Sequence, residues 1–132
     1  MFTDMLIKQY NYKDTIHNPK DVLRFCRDLK GLCKEVFLVI FLDSNNGVIA
    51  KEIVSIGILN ASIIHPREVF RTAIVNNAAS VIIVHNHPSG NLSPSDDDIE
   101  TTKKLRQAGA IIGIKLLDHI IVSEDIRGYQ SI

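Results

Sequence analysis

The chain has 132 residues, 45% of them hydrophobic, and its 15 lysines and arginines balance 15 aspartates and glutamates. That length predicts a single domain with a sizeable core. The balanced charge gives no electrostatic reason to expect nucleic acid or an acidic membrane surface as a partner. The longest apolar run, 36–42, is far shorter than the roughly 20 residues that span a bilayer. Because Asp4 lies where a signal peptide carries basic residues, we expect a cytoplasmic protein.

Residues 1–17 show no clear pattern and are expected to form an extended lead-in. A helix is predicted to begin at Asn18-Pro19, since Asn caps helices and Pro suits their first position. Gly31 is expected to end it. Its apolar face consists of Val22, Phe25, Cys26 and Leu29.

The second quarter of the chain predicts a hairpin followed by a helix. The almost wholly apolar run 35–42 is typical of a strand covered on both sides. The Ser-Asn-Asn-Gly turn at 44–47 then leads into a second strand, 48–59, paired antiparallel with the first. A second helix is expected to begin at 65–66, with an inner face of Val69, Phe70, Ala73 and Ile74.

A short buried strand is predicted at 80–84, with His85 directly after its last residue. A third helix follows from about Ser95 to Ala108, with acids in its first turn and basic residues near its end, as the helix dipole prefers. Gly109 is expected to cap it.

Residues 111–123 again have the composition of a strand, interrupted at 117–118, and 128–132 are expected to add a short last pairing. The elements together predict an α/β (or α+β) fold with a mixed central sheet flanked by three helices. Loops that follow strands are where such sheets carry their sites.

The chemistry-bearing segment is 85–98, where two histidines end a strand and a Ser-x-x-Asp begins a helix. Residues i and i+2 of a strand face the same way, so His85 and His87 could both turn toward one metal ion. The ordinary alternative is a His-x-His that only hydrogen-bonds a turn. Three protein ligands and a water are what a catalytic zinc requires.

The third ligand is not determined by spacing alone. Asp96, Asp97 and Asp98 all lie in the first helical turn, each about 100° from the next. Ser95 and Asp98 also match a capping box, which needs no further function. All three acids therefore stay candidates on the residues themselves.

Other metal and nucleophile motifs are not found in the sequence. A zinc deaminase would carry His-x-Glu and Pro-Cys-x-x-Cys, and a zincin His-Glu-x-x-His. Cys26 and Cys33 are not in a Cys-x-x-Cys pair, so neither a disulfide scaffold nor a thiolate zinc site is expected.

The spacing His85-x-His87, seven residues, Ser95-x-x-Asp98 resembles the zinc motif of the JAB/MPN (JAMM) metalloproteases. Within that family, the RadC-like branch is similar to this chain at three places. They are His-Asn-His-Pro-Ser-Gly-Asn-Leu-Ser-Pro-Ser at 85–95, His-Pro-Arg-Glu at 65–68 and Asp-His-Ile-Ile-Val at 118–122. The resemblance covers nearly everything from residue 18 onward.

This resemblance implies one RadC-like JAB/MPN domain over 1–132, of cytidine-deaminase-like architecture, without an N-terminal helix-hairpin-helix region. It implies one zinc ion per chain, held by His85, His87 and Asp98. It also implies a glutamate at the start of the first core strand as general base. Glu35 fits that place, whereas from the residues alone it would be a solvated strand-end charge; Glu52 is its rival.

In such enzymes the serine corresponding to Ser95 steadies the oxyanion, although its capping role is an alternative here. The implied function is a zinc-dependent hydrolase, a metallopeptidase or isopeptidase that cleaves an amide bond in a peptide or protein. Alternatives are a non-catalytic accessory protein and the DNA-repair role attached to the RadC name, which the neutral charge weakens. Substrate and oligomeric state stay open.

The remaining histidines carry weaker functional signals. His17 is predicted to be solvated and His65 to take part in the turn that opens a helix. Asp118 and His119 are interpreted as a hydrogen-bonded pair at a strand end, with a place in the substrate groove as the alternative.

Overall fold

The computed structural model describes residues 8–9, 14–57, 64–126 and 128–132. Three α-helices and six strands lie in these ranges. The helices are α1 (Pro19–Val22), α2 (Pro66–Val75) and α3 (Asp96–Ile112). The strands are β1 (Lys8–Gln9), β2 (Val36–Leu42), β3 (Val48–Ile56), β4 (Ser80–Asn86), β5 (Lys115–Val122) and β6 (Tyr129–Ser131).

The six strands form one sheet in the order β1-β3-β2-β4-β5-β6. β4 and β5 pair in parallel, and the other described neighbours pair antiparallel. The predicted class, a mixed sheet with flanking helices, is confirmed. Within the described ranges, none of the helices is long and apolar enough to cross a membrane.

The core lies on both faces of this sheet, because its central strands β2 and β4 are buried at every position. One apolar cluster joins the sheet to α2 and α3 and includes Phe37, Phe41 and Leu105. The other joins it to the segment around α1 and includes Leu29, Leu38 and Ile40. The wholly apolar composition of 36–42 follows from this double coverage.

The first predicted helix is broken into shorter turns. α1 begins as expected, with the Asn18 side chain accepting a hydrogen bond from the Asp21 N–H at 3.1 Å. Two 3₁₀ turns, Leu23–Phe25 and Arg27–Leu29, replace the rest of the helix. Three residues per turn bring side chains three apart to the same side. The predicted apolar face is still buried, namely Val22, Phe25, Cys26 and Leu29.

The prediction that Gly109 ends the third helix was wrong. α3 continues to Ile112 and ends at Gly113, whose φ of 79° is the left-handed conformation that suits glycine. Gly109 is buried inside the helix, where a Cβ would lie 2.3 Å from the carbonyl oxygen of Ile114 and 3.1 Å from the Phe70 ring. It is there for close packing, and β5 consequently begins at Lys115 instead of 111.

The inner face predicted for α2 needs one correction. Val69, Phe70 and Ala73 are buried, but Ile74 is 59% exposed. About 100° separates Ile74 from Ala73 around the helix, which turns it past the covered face. Thr72 is buried instead, and its hydroxyl donates a hydrogen bond to Glu52 on β3.

The remaining strand predictions agree within a few residues. β4 extends through Asn86, so both His85 and Asn86 belong to the strand. The interruption expected at 117–118 is a register shift, since Leu116 pairs with Val81 and the next pair joins residues 118 and 82. β6 confirms the short last pairing. Residues 58–59 of the second predicted strand lie outside the described residues.

The lead-in is described only in part. Residues 8–9 pair with β3, and Thr15 forms a bridge to Gly47. The other residues before 14 lie outside the described part of the chain.

The topology brings several element ends to one edge of the sheet. The carboxyl ends of β4 and β5 meet there because these strands are parallel. β2 runs antiparallel to β4 and pairs Phe37 with His85, so the first residues of β2 lie at the same edge. The Gly57 N–H donates to the Glu35 carbonyl at 2.8 Å and adds the end of β3.

Candidate metal centre

His85, His87 and Asp98 meet at this edge of the sheet. Nε2 of His85 lies 2.9 Å from Nε2 of His87 and 3.0 Å from Oδ1 of Asp98. Nε2 of His87 lies 3.1 Å from Oδ2 of Asp98. The two histidines come from β4 and its continuation, and the aspartate from the first turn of α3.

The spacing of these donor atoms fits a zinc ion. Ligands 2.0–2.1 Å from zinc at tetrahedral angles lie about 3.3 Å apart. The observed separations of 2.9–3.1 Å are a few tenths shorter, so small side-chain rotations would admit an ion. Two imidazoles and one carboxylate are also a donor set that zinc accepts. In the described part of the chain, His85, His87 and Asp98 are the side chains whose donor atoms lie close enough together to hold a metal ion, and we call them the donor group.

His87 is oriented by the loop that follows it. Its Nδ1 lies 2.6 Å from the carbonyl oxygen of Asn91, so Nδ1 carries the hydrogen and donates it. The Nε2 lone pair then faces His85 and Asp98. The His87 side chain is 11% exposed and forms the open side of the group.

His85 is oriented by a buried chain of hydrogen bonds. The Thr102 hydroxyl donates to the Asp98 carbonyl at 2.7 Å, so its oxygen accepts from Nδ1 of His119, 2.5 Å away. Nε2 of a neutral His119 can only accept, and it lies 2.7 Å from Nδ1 of His85. His85 therefore donates from Nδ1, which leaves its Nε2 lone pair directed into the group.

The surroundings of His119 support that protonation state. Burial is the main reason that the pKa of His119 is lowered to about 3. Phe37 packs against both rings, with its centroid 6.3 Å from that of His85 and 5.8 Å from that of His119. The imidazoles are thus held by packing against Phe37 as well as by hydrogen bonds.

Asp98 is the buried acid of the helix start, at 2% exposure, whereas Asp96 and Asp97 are exposed. Burial alone would raise the pKa of Asp98. A hydrogen bond from His85, in the state in which its Nε2 carries the proton that an ion would displace, and the hydrogen bond from the Ser95 N–H outweigh burial and hold that pKa well below its usual range. A buried carboxylate kept ionised favours a cation beside it.

An open cleft of about 810 Å³ gives access to the group. His87 and Asp98 line it, as do Glu35 and Ser95. The structure thus brings the predicted base and the predicted oxyanion donor to the cleft that gives access to the donors. Glu52 lies in a separate cavity with Arg67 and Arg71, and Thr72 hydrogen-bonds it there.

The other predicted histidines lie outside the group. His17 is exposed, and His65 precedes α2, its carbonyl accepting the Glu68 N–H at 3.0 Å. The Asp118 carboxylate accepts the backbone N–H of His119 at 2.8 Å, inside β5 and not at its end. The His119 ring is fully buried behind His85 and does not line the cleft.

Sequence reasoning missed the residues that orient the donors, namely Asn91, Thr102 and the ring of His119. A signal existed for His119. β5 follows β4 through one helix, an arrangement typical of parallel neighbours, and a polar ring in a buried strand needs a polar partner on the adjacent one.

Comparisons with known proteins agree with this architecture. A family model for the RadC-like JAB domain matches residues 16–132. The UPF0758 protein of Shouchella clausii is 52% identical over 113 residues, which are 85% of this chain and 49% of that protein. A UPF0758 protein of Methanosarcina mazei is 50% identical over 113 residues, again 85% and 49% of the two chains. The chain spans about half the length of the curated relatives it matches.

Proposed function

This chain belongs to the RadC-like JAB domain family, and from that premise we propose that it is a zinc-dependent hydrolase. It would act as a metallopeptidase or isopeptidase on an amide bond. One observation carries the proposal: three converging donors lie at a cleft that two of them line, and its wall also carries a glutamate and a serine.

His85, His87 and Asp98 would hold the ion. When bound, zinc supplies Lewis acidity, which makes a water nucleophilic near neutral pH and polarises an amide carbonyl. Both histidines already direct Nε2 lone pairs toward Asp98, because their Nδ1 hydrogens are committed to Asn91 and His119. Binding of an ion would therefore require little reorientation of these side chains.

Glu35 is the proposed general base. It accepts a proton from the attacking water and returns it to the leaving amine. Its place in the cleft supports this role, and the separate cavity of Glu52 argues against the rival.

Ser95 is the proposed donor to the developing oxyanion. Its hydroxyl oxygen accepts the Asp98 N–H at 3.0 Å, and the hydroxyl hydrogen stays available to donate. Capping the helix and steadying the oxyanion are thus compatible roles for one side chain.

The test compares zinc-loaded wild type with Glu35→Gln and Glu52→Gln on two probes: a quenched-fluorescence peptide library and a lysine-linked isopeptide. We expect cleavage by wild type and by Glu52→Gln, removed by a chelator and restored by zinc. Glu35→Gln should keep its zinc and lose at least about a hundredfold in rate. Loss in Glu52→Gln alone would transfer the base role to Glu52. No cleavage by zinc-loaded wild type would favour a non-catalytic accessory role.

A further inference from the structure

Asn86, the residue between the two donor histidines, is fully buried although its side chain is polar. Such an amide requires hydrogen-bond partners, and its partners show what it does. Both partners are backbone groups at the start of the neighbouring strand β2, 50 residues or more away in sequence.

The Asn86 side chain bonds the backbone on each side of Glu35. Its Oδ1 accepts the N–H of Val36 at 2.7 Å, and its Nδ2 donates to the carbonyl of Lys34 at 2.9 Å. The Lys34 carbonyl belongs to the peptide plane before Glu35, and the Val36 N–H to the plane after it. Because peptide groups are planar, holding both planes fixes the two backbone dihedrals of Glu35.

A third contact holds the same backbone. The Glu35 carbonyl accepts the N–H of Gly57 at 2.8 Å. Asn86 itself is fixed as the last residue of β4, where it pairs with Val122 of β5. The start of β2 is therefore tied on one side to the strand of the donor histidines and on the other to the end of β3.

We propose that Asn86 is a positioning residue that sets the place of Glu35 relative to His85 and His87. The inference rests on the proposed function, because it takes Glu35 to be the general base whose backbone Asn86 holds. A side chain bracketed by two metal donors can transmit their position to the base without touching substrate. The alternative is that Asn86 only satisfies the backbone at the end of the sheet.

The experiment uses the full chain with cobalt(II) bound in place of zinc. The pH midpoint of the visible cobalt spectrum reports ionisation at the metal site, and it needs no substrate. Asn86→Ser is too short to make both hydrogen bonds. Asn86→Leu keeps the volume and makes neither, so it serves as a second variant if the serine variant folds poorly. Thr72→Val is the matched control, because it removes a buried hydroxyl bond to Glu52 in the other cavity.

We expect three results for the Asn86 variants. The Val36 N–H should exchange with solvent at least about tenfold faster, since its acceptor is gone. Zinc affinity should stay within about threefold of wild type, less than the loss seen when a ligand's orienting partner is removed. The cobalt midpoint should shift in the same direction as in Glu35→Gln, while Thr72→Val keeps the wild-type value.

Two results would overturn the inference alone. One is an unchanged midpoint in Asn86→Ser despite faster Val36 exchange, which would leave only a strand-end role. The other is a tenfold or larger loss of zinc affinity, which would mean that Asn86 orients the histidines. If Glu35→Gln itself leaves the midpoint unchanged, the proposed base is wrong, and the inference fails with it. That comparison involves no Asn86 variant, so the two failures are distinguishable.

Discussion

Ser95 accepts a hydrogen bond from the Asp98 N–H at 3.0 Å, and Asp98 accepts one from the Ser95 N–H at 2.8 Å. The same Oδ2 of Asp98 also lies 3.1 Å from Nε2 of His87. The carboxylate that completes the helix cap is thus the carboxylate that completes the donor group. For the sequence, a helix cap and a metal ligand were alternative roles for Asp98, and the structure shows that one carboxylate can serve both.

The two roles of Asp98 can be separated by Asp98→Asn. An amide oxygen can still accept the Ser95 N–H, so the helix cap should survive, but the negative charge is lost. We expect wild type to bind one zinc per chain and Asp98→Asn to bind at least about a hundredfold more weakly, while circular dichroism of the metal-free variant still shows the native fold. Metal content by mass spectrometry and a competitive chelator titration measure this. Asp96→Asn, which removes an exposed acid from the same turn, should bind zinc like wild type; equal losses in both would refute the ligand role.

His119→Phe tests the chain of hydrogen bonds behind His85. It keeps a ring of similar size but has no acceptor in place of Nε2, so the His85 ring loses the partner that fixes its tautomer. Zinc affinity should fall by about 10- to 100-fold. The chelator titration is run where circular dichroism shows the variant folded, and His17→Phe, at an exposed histidine outside the group, is the control. An affinity within about threefold of wild type would show that His85 orients itself without His119.

Gly109→Ala and Gly113→Ala should differ in cost because the two glycines serve different purposes. A Cβ at Gly109 would press on the backbone of Ile114, so we expect a loss of about 2–3 kcal/mol in unfolding free energy. At Gly113 there is room for a Cβ, and the cost of about 1 kcal/mol comes from the left-handed backbone. Urea denaturation of both variants decides this, and the reverse order would be inconsistent with the close approach at Gly109.

The two cysteines should differ in reactivity and in pH dependence. Cys33 is exposed, whereas burial raises the pKa of the Cys26 thiol to about 12 from 9.0. At pH 8, iodoacetamide should label only Cys33 in the native chain and both thiols in urea, as read by intact mass. Between pH 9 and 12 the unfolded chain gives up the Cys26 proton and the folded chain keeps it, so stability falls as pH rises. Cys26→Ala should lose less stability than wild type between pH 8 and pH 10; an equal loss would contradict this.

The donor group was predictable because it is mostly local. His85 and His87 point to the same side of their strand. Asp98 follows His87 by 11 positions, in the first turn of the next helix. Choosing Asp98 over Asp96 and Asp97 required the resemblance, because adjacent residues in a helical turn differ only in direction. Asn86 could not be assigned from the residues, since its partner lies 50 positions away and depends on the pairing of β2 with β4. For His119 the signal was indirect, because its partner His85 lies 34 positions away and the contact follows only once β4 and β5 are paired.

The fold errors have a common cause. Gly109 and Gly113 both suit a helix end locally, and tertiary contact with Phe70 and Ile114 decides between them. In the same way, the segment after Asn18 has good helix signals, but its contact with the sheet favours 3₁₀ turns that bury residues three apart. Strand existence was more predictable, because an apolar composition such as that of 36–42 leaves few alternatives.

The donors and the residues that orient them, His85, His87, Asn91, Asp98, Thr102 and His119, all lie in the stretch that runs from β4 through α3 to β5. Glu35 comes from β2, outside that stretch. On the proposed function, the ion would be held by one part of the sequence and the proton moved by another, with Asn86 joining the two. A single substitution at position 35 would then leave every donor in place and remove hydrolysis while metal binding stays. An intact histidine motif alone would therefore not be enough to infer hydrolysis in a chain of this kind.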